Sequence, residues 1–351
     1  RNSTDNIVLR LRCEGLEGYG ESVPRAYVTG ETAQSALRTL REALVPSLGG
    51  RNFDSPEAVK TFLHGMMGSS LCQRSLAAYC ALDQALLDLS SKYWGRSLEV
   101  FFGTSWHTPP PYSAVIPLLP PDRLEHFLSL LKKHAMRTVK IKVGTHVDPS
   151  VFDRVLTVLG PDVDLRVDAN GAWTEAGALA NIQALKAYTI RSVEQPVMKD
   201  DPEGFRNVAH QSDIPIMADE SVCSLDDARK LLDTQACHAF NVRLSKCGGF
   251  SGSLAVAEMA RVGGLRCQVG CQVGETGILS AAGRHLAGWL HDLLYVEGSF
   301  GTWALQEDIT EEDIRFGRGG EAPPMEGEGL GIHVCEETLR RYTVVSDSVA
   351  L

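Results

Sequence analysis

A chain of 351 residues with a formal net charge of −10 and a pI near 5.5 can bury a large core and still leave room for a second domain. That acidic balance excludes a nucleic-acid or anionic-membrane partner, because both need a basic face. No apolar run reaches membrane-spanning length and no signal-peptide pattern opens the chain, while nine cysteines, an odd number scattered through apolar segments, read as buried thiols of a reducing cytoplasm.

The sequence reads as beginning within a domain. Residues 6–11 (NIVLRL) predict a strand, and turns at Gly15, Gly18 and Gly20 lead into helices, an α+β pattern. Leu82, Ala85, Leu86 and Leu89 recur at helical spacing and predict a core helix. Pro109, Pro110 and Pro111 form the clearest linker, and residues 112–116 after it predict the first strand of a second unit. Beyond that point short apolar runs end one after another in a charged residue: Lys140 and Lys142, Asp168, Glu194, Asp219 and Lys246. From Lys142 the steps are 26, 26, 25 and 27 residues, the length of one strand, one helix and two loops. Parallel βα units follow, and a barrel gathers such strand ends into one mouth, whereas a doubly wound sheet scatters them. The glycines at 317–320 and 327–331 follow no strand-to-helix pattern, which argues against a phosphate loop.

Lys140 and Lys142 point the same way from a strand, into the barrel. Two buried ammonium groups need anions opposite them, and Asp168, Glu194 and Asp219 provide these. An internal ion-pair network is one reading. Three carboxylates without nearby His or Cys also suit a hard cation such as Mg²⁺, and five stations in order favour that second reading.

The motifs Lys140-Ile141-Lys142, Val167-Asp168-Ala169-Asn170, Val193-Glu194-Gln195-Pro196, Ala218-Asp219-Glu220-Ser221 and Lys246-Cys247-Gly248-Gly249 resemble those of the enolase superfamily, and within it the muconate-lactonizing subgroup. The resemblance runs over essentially the whole chain. It implies an α/β fold: a modified (β/α)8-type barrel, (β/α)7β, at residues 106–300, with an N-terminal α+β capping domain at 1–105 completed by a C-terminal segment, 301–351. It implies Mg²⁺, with Mn²⁺ able to substitute, on Asp168, Glu194 and Asp219. Lys142 and Lys246 then face the two sides of an enediolate and Lys140 bonds the substrate carboxylate. Asn170, Glu220 and Glu275 orient these groups. Residues 18–32 read as a lid whose Arg25 and Tyr27 touch substrate, or else as an ordinary glycine-rich turn. The seventh strand lacks the histidine of the mandelate racemase subgroup. The eighth-strand region lacks the Asp-x-Asp of many dipeptide epimerases, leaving Glu297 as a substrate contact, a solvated side chain or a glutamate that supports the site from behind its first contacts.

The implied chemistry is removal of a proton α to the carboxylate of a small substrate by a homo-oligomeric isomerase. Two lysines point to a racemase or epimerase of an amino-acid derivative. The alternatives are a muconate-type cycloisomerase or an o-succinylbenzoate synthase-like dehydratase. Outside catalysis stands a barrel that has lost activity and serves as a binding protein, which an intact set of lysines and acids weighs against.

Overall fold

The computed structural model describes residues 3–103 and 107–351, so the expected boundary at 105 and 106 lies outside the described residues. Strands β1 (Ile7–Cys13) and β2 (Leu16–Ser22) form an antiparallel hairpin. Glu14 and Gly15 between them both take positive φ, the two-residue turn whose twist matches that of its strands. Strand β2 lies directly on the helix Leu76–Tyr93. A Cβ on Gly20 would stand 2.0 Å from the Ala81 carbonyl oxygen, and one on Gly18 2.4 Å from that of Ala85. These glycines therefore serve close approach of strand to helix. The first part of segment 18–32 is a packed strand, neither lid nor surface turn, and only its second part, with the short helix Ala26–Thr29, crosses toward the barrel.

The helix Leu76–Tyr93 is buried on nearly every side, where its spacing predicted one apolar stripe. It is wedged between the hairpin and the helices Leu244–Cys247 and Gly249–Val262, so its N-terminus and its buried carboxylates need partners. Glu31 caps its N-terminus through Ala77 N (2.8 Å) and Ala78 N (3.0 Å). Asp83 accepts from Phe250 N at 2.7 Å, and Asp88 from Tyr19 N and Leu330 N, both at 2.8 Å. Glu21 accepts from Thr276 N at 3.0 Å and Leu279 N at 2.9 Å. Asp83 and Glu21 thus occupy the N-termini of two barrel helices, Gly249–Val262 and Gly277–Trp289, where a carboxylate satisfies free N–H groups and the helix dipole.

Seven parallel strands follow in sequential order: β3 (Ala114–Ile116), β4 (Thr138–Lys142), β5 (Asp164–Asp168), β6 (Ile190–Glu194), β7 (Ile216–Ala218), β8 (Ala239–Val242) and β9 (Arg266–Val269). Val296 bridges both Val269 and Tyr112, which brings an eighth chain segment between β9 and β3 and closes the ring. Val139, Ile141, Val167, Val193, Ile216, Phe240 and Val242 are fully buried against the outer helices, each contributing about 1.5–3 kcal/mol by leaving water. Alternation then sends Lys140, Lys142, Arg166, Asp168, Glu194 and Asn241 inward. The tail packs back on the N-terminal part: Gly329 N donates to Arg96 O at 3.0 Å, and Glu336 pairs with Arg10. Among the described residues no helix is long and apolar enough to cross a membrane.

Candidate active site

Parallel register carries the charged strand ends into one row, with Lys142 beside Asp168 and Asp168 beside Glu194. Lys140 Nζ lies 3.0 Å from Glu194 Oε2, 2.7 Å from Glu297 Oε2 and 3.5 Å from Asp168 Oδ2. Burial opposes its charge, but Glu194, Glu297 and Asp168 outweigh that and hold the ammonium well above the usual lysine range. Lys140 is a fixed cation.

Glu194 is the hub. Besides Lys140 it accepts from Asn241 Nδ2 at 2.8 Å, Gln268 Nε2 at 3.2 Å and Arg243 Nη2 at 3.2 Å. Burial alone would raise its pKa, yet Lys140, Arg243 and Arg166 hold it below the usual carboxylate range. Burial pushes Asp168 and Asp219 upward instead, reinforced by their carboxylate neighbours.

Lys142 has a different setting from Lys140. Its side chain is 29% exposed, its Nζ donates to Asn170 Oδ1 at 2.9 Å, and Asp168 Oδ2 lies 3.7 Å away. Asn170 donates in turn to Glu220 Oε1 at 3.2 Å and takes a positive φ of 44°. Gln195, also at positive φ, accepts from Asp219 N at 3.0 Å and Ser221 N at 3.1 Å. Such backbone costs about 1–3 kcal/mol per residue, and here it aims the strand-end side chains into the mouth.

Lys246 does not face Lys142. Strand β8 ends at Val242, and the chain turns helical over Leu244–Cys247. Lys246 is wholly buried there, donating to Asp219 O at 2.6 Å and to Val222 O, with Asp219 Oδ1 at 3.3 Å. The inward series of β8 is Ala239, Asn241, Arg243, and Arg243 meets both Glu194 and Asp219. With β4 and β8 four places apart in a ring of eight, Arg243 takes the station opposite Lys142.

Glu297 is a buried counter-ion, paired with Lys140 and, at 3.0 Å, with Arg166; it is neither solvated nor free to meet substrate. Arg166 also stacks on Tyr295, 3.8 Å from the ring centroid. Glu275 lies on a small neighbouring cleft, with room for about one water, lined also by Leu244, Ser280, Glu297 and Ser299, and burial pushes its carboxyl up to about 8. Arg25 reaches Thr4 Oγ1 (2.7 Å) and Val273 O (3.0 Å), tying the N-terminal segment to the loop after β9, while Tyr27 is exposed on the helix Ala26–Thr29. The sequence reading missed Arg243, Arg166, Gln195, Asn241 and Gln268. Parity with Asn241 was the available signal for Arg243.

For a cation, the donor set is apt in type: Asp168, Glu194 and Asp219 are buried carboxylates on consecutive strand ends. Asp168 Oδ2 and Asp219 Oδ1 accept no hydrogen bond from any described residue and meet only ammonium groups at 3.3–3.7 Å. As placed, no three acidic, histidine or cysteine groups among the described residues converge closely enough to hold a metal, since Arg243 stands between two of them.

A family model described as "Enolase C-terminal domain-like" matches residues 123–338, and one described as "Mandelate racemase / muconate lactonizing enzyme, N-terminal domain" matches residues 1–103. The chain belongs to the muconate-lactonizing subgroup of the enolase superfamily. An N-succinyl-L-Arg/Lys racemase of Bacillus cereus is 32% identical, covering 98% of this chain and 92% of its own, and the crystal structure of the enzyme has a TM-score of 0.86. A hydrophobic dipeptide epimerase of Enterococcus faecalis is 31% identical over 93% of this chain and 86% of its own. Its complex with Mg and the dipeptide L-Leu-L-Tyr has a TM-score of 0.81. Muconate lactonizing enzyme from Pseudomonas putida, 27% identical, covers 96% of this chain and 93% of its own with a TM-score of 0.84. These superfamily members are isomerases, and so is this protein.

Proposed function

We propose that this enolase-superfamily isomerase acts on a small carboxylate with a single proton carrier, Lys142, and with Arg243 as a permanent cation on the opposite wall. The observation that carries this is the station of Arg243. A guanidinium stays protonated in proteins, so the wall facing Lys142 can stabilise negative charge without supplying or taking a proton.

Asp168, Glu194 and Asp219 are the residues that would hold Mg²⁺. Bound there, it would polarise the substrate carboxylate as a Lewis acid. Lys142 is the group placed to exchange the α-proton: as the Cα–H bond breaks its nitrogen takes the proton, and the electron pair passes into the carboxylate to give an enediolate. Asn170 aims the Lys142 nitrogen, and Lys140 adds fixed positive charge where the second negative charge develops. A proton returned by Lys142 to the face it left only restores the substrate, so net reaction needs the enediolate to form or collapse through another bond. Cycloisomerisation meets that need: an intramolecular carboxylate oxygen adds to a conjugated double bond to give the enediolate and Lys142 supplies the α-proton, while in reverse Lys142 removes that proton and the ring C–O bond breaks.

The second reading is a racemase or epimerase of an N-acyl amino acid or dipeptide. It is favoured by likeness to the Bacillus cereus racemase and the Enterococcus faecalis epimerase, but it needs a proton carrier where Arg243 stands. A screen of muconates, N-succinyl amino acids and dipeptides, with EDTA and then Mg²⁺ or Mn²⁺ added back, tests the assignment. Activity that falls with EDTA and returns with the cation is expected. Full activity in metal-free protein overturns the metal-dependent reading.

A further inference from the structure

We infer that Arg243 plugs the cation site: its guanidinium holds Glu194 and Asp219 in place of a divalent ion, and ion and side chain compete for the same two carboxylates. The inference rests on the cation site proposed above and goes beyond it by giving that site a built-in competitor.

Charge and geometry both support it. Arg243 leaves β8 pointing inward and contacts Glu194 Oε1 at 3.2 Å and Asp219 Oδ2. Six buried or half-buried carboxylates, Asp168, Glu194, Asp219, Glu220, Glu275 and Glu297, stand with five cations, Lys140, Lys142, Arg166, Arg243 and Lys246. The formal excess is a single negative charge. A divalent ion added with nothing moved would leave surplus positive charge in a dry site, where repulsion is screened weakly.

Arg243 is also incompletely satisfied in this position. Its Nε is buried without an acceptor, while Asp168 Oδ2 and Asp219 Oδ1 are buried acceptors without donors. An unmet buried donor costs about 1–3 kcal/mol, which offsets part of what the two ion pairs contribute to holding the side chain there. The Glu275 carboxylate beyond the end of β8 lies within electrostatic reach of Arg243. Displaced from Glu194 and Asp219, the planar fork would be free to pair with a carboxylate of the substrate. Ion binding would then arm the site for its anionic ligand.

The test is Mn²⁺ binding followed by the electron paramagnetic resonance of the free ion, in the full chain and without substrate. Arg243→Gln should bind one Mn²⁺ roughly 10- to 100-fold more tightly than the unaltered protein, the size of effect typical of residues acting on ligands from outside the coordination set. Arg243→Lys should fall between the two, and far-UV circular dichroism checks that each variant is folded. Adding Asp219→Asn to Arg243→Gln should cancel the gain. Equal or weaker binding by a folded Arg243→Gln overturns the competition while leaving the cation site standing. Absence of one-site Mn²⁺ binding in every variant at millimolar ion overturns the cation site itself, and the inference with it.

Discussion

At the scale of single residues, what holds each lysine decides what it can do. Lys140 is locked by three carboxylates and Lys246 by two backbone carbonyls, whereas Lys142 keeps solvent access and one orienting amide. Lys142→Ala is expected to lose turnover by roughly 10²–10⁴-fold, the share typical of a general base, with little change in stability. Lys246→Met should do the reverse, losing about 3 kcal/mol or more because a buried donor set and the partner of Asp219 vanish together. Urea unfolding and turnover per folded molecule separate the two effects. A Lys246→Met protein of full stability that has lost turnover would contradict the post assigned to Lys246.

At the scale of elements, the strand ends were legible because parallel βα units repeat at a nearly constant length, and each of Lys142, Asp168, Glu194 and Asp219 ends or immediately follows a strand. Lys246 misled because residues 240–246 read as one continuous strand. The β structure stops at Val242, and the helical turn after it breaks the alternation that would have pointed to Arg243. Glu297 stayed open between substrate contact, solvent and a supporting role for another reason: its partner Lys140 is 157 residues away in sequence, and local pattern carries no trace of such a pair. The glycines of β2 looked like a loop because nothing local announces the helix pressed against them. Docking between elements makes its own prediction. Asp83→Ala removes the cap of Gly249–Val262, where Phe250 N bonds the carboxylate and a Cβ on Gly249 would lie 2.5 Å from it. Urea unfolding should show a loss of about 1–2 kcal/mol, and an unchanged midpoint would contradict the capping role.

At the scale of the whole molecule, stability and reaction outcome both follow from what is buried. His285 stacks on Trp289 at 5.3 Å, lies 3.2 Å from Leu330 O, and is lowered to about 4 by burial. An unfolded histidine titrates near 6.5, so the fold disfavours the proton. The His285 contribution is complete above about pH 6.5 and drains away as pH falls toward 4, costing about 2 kcal/mol between pH 7 and pH 5. His285→Gln, which keeps a donor for Leu330 O, should flatten that slope in urea unfolding; an identical slope would refute the assignment. The barrel mouth as a whole holds one proton carrier, with an arginine opposite. Incubation in D₂O with each enantiomer of an N-succinyl amino acid, or of another chiral carboxylate that the protein binds, followed by NMR of the α-proton and chiral chromatography, tests this arrangement. Deuterium is expected to enter one enantiomer only, with retained configuration and with loss of exchange in Lys142→Ala. Exchange into both enantiomers with inversion of configuration would contradict it and establish two proton carriers.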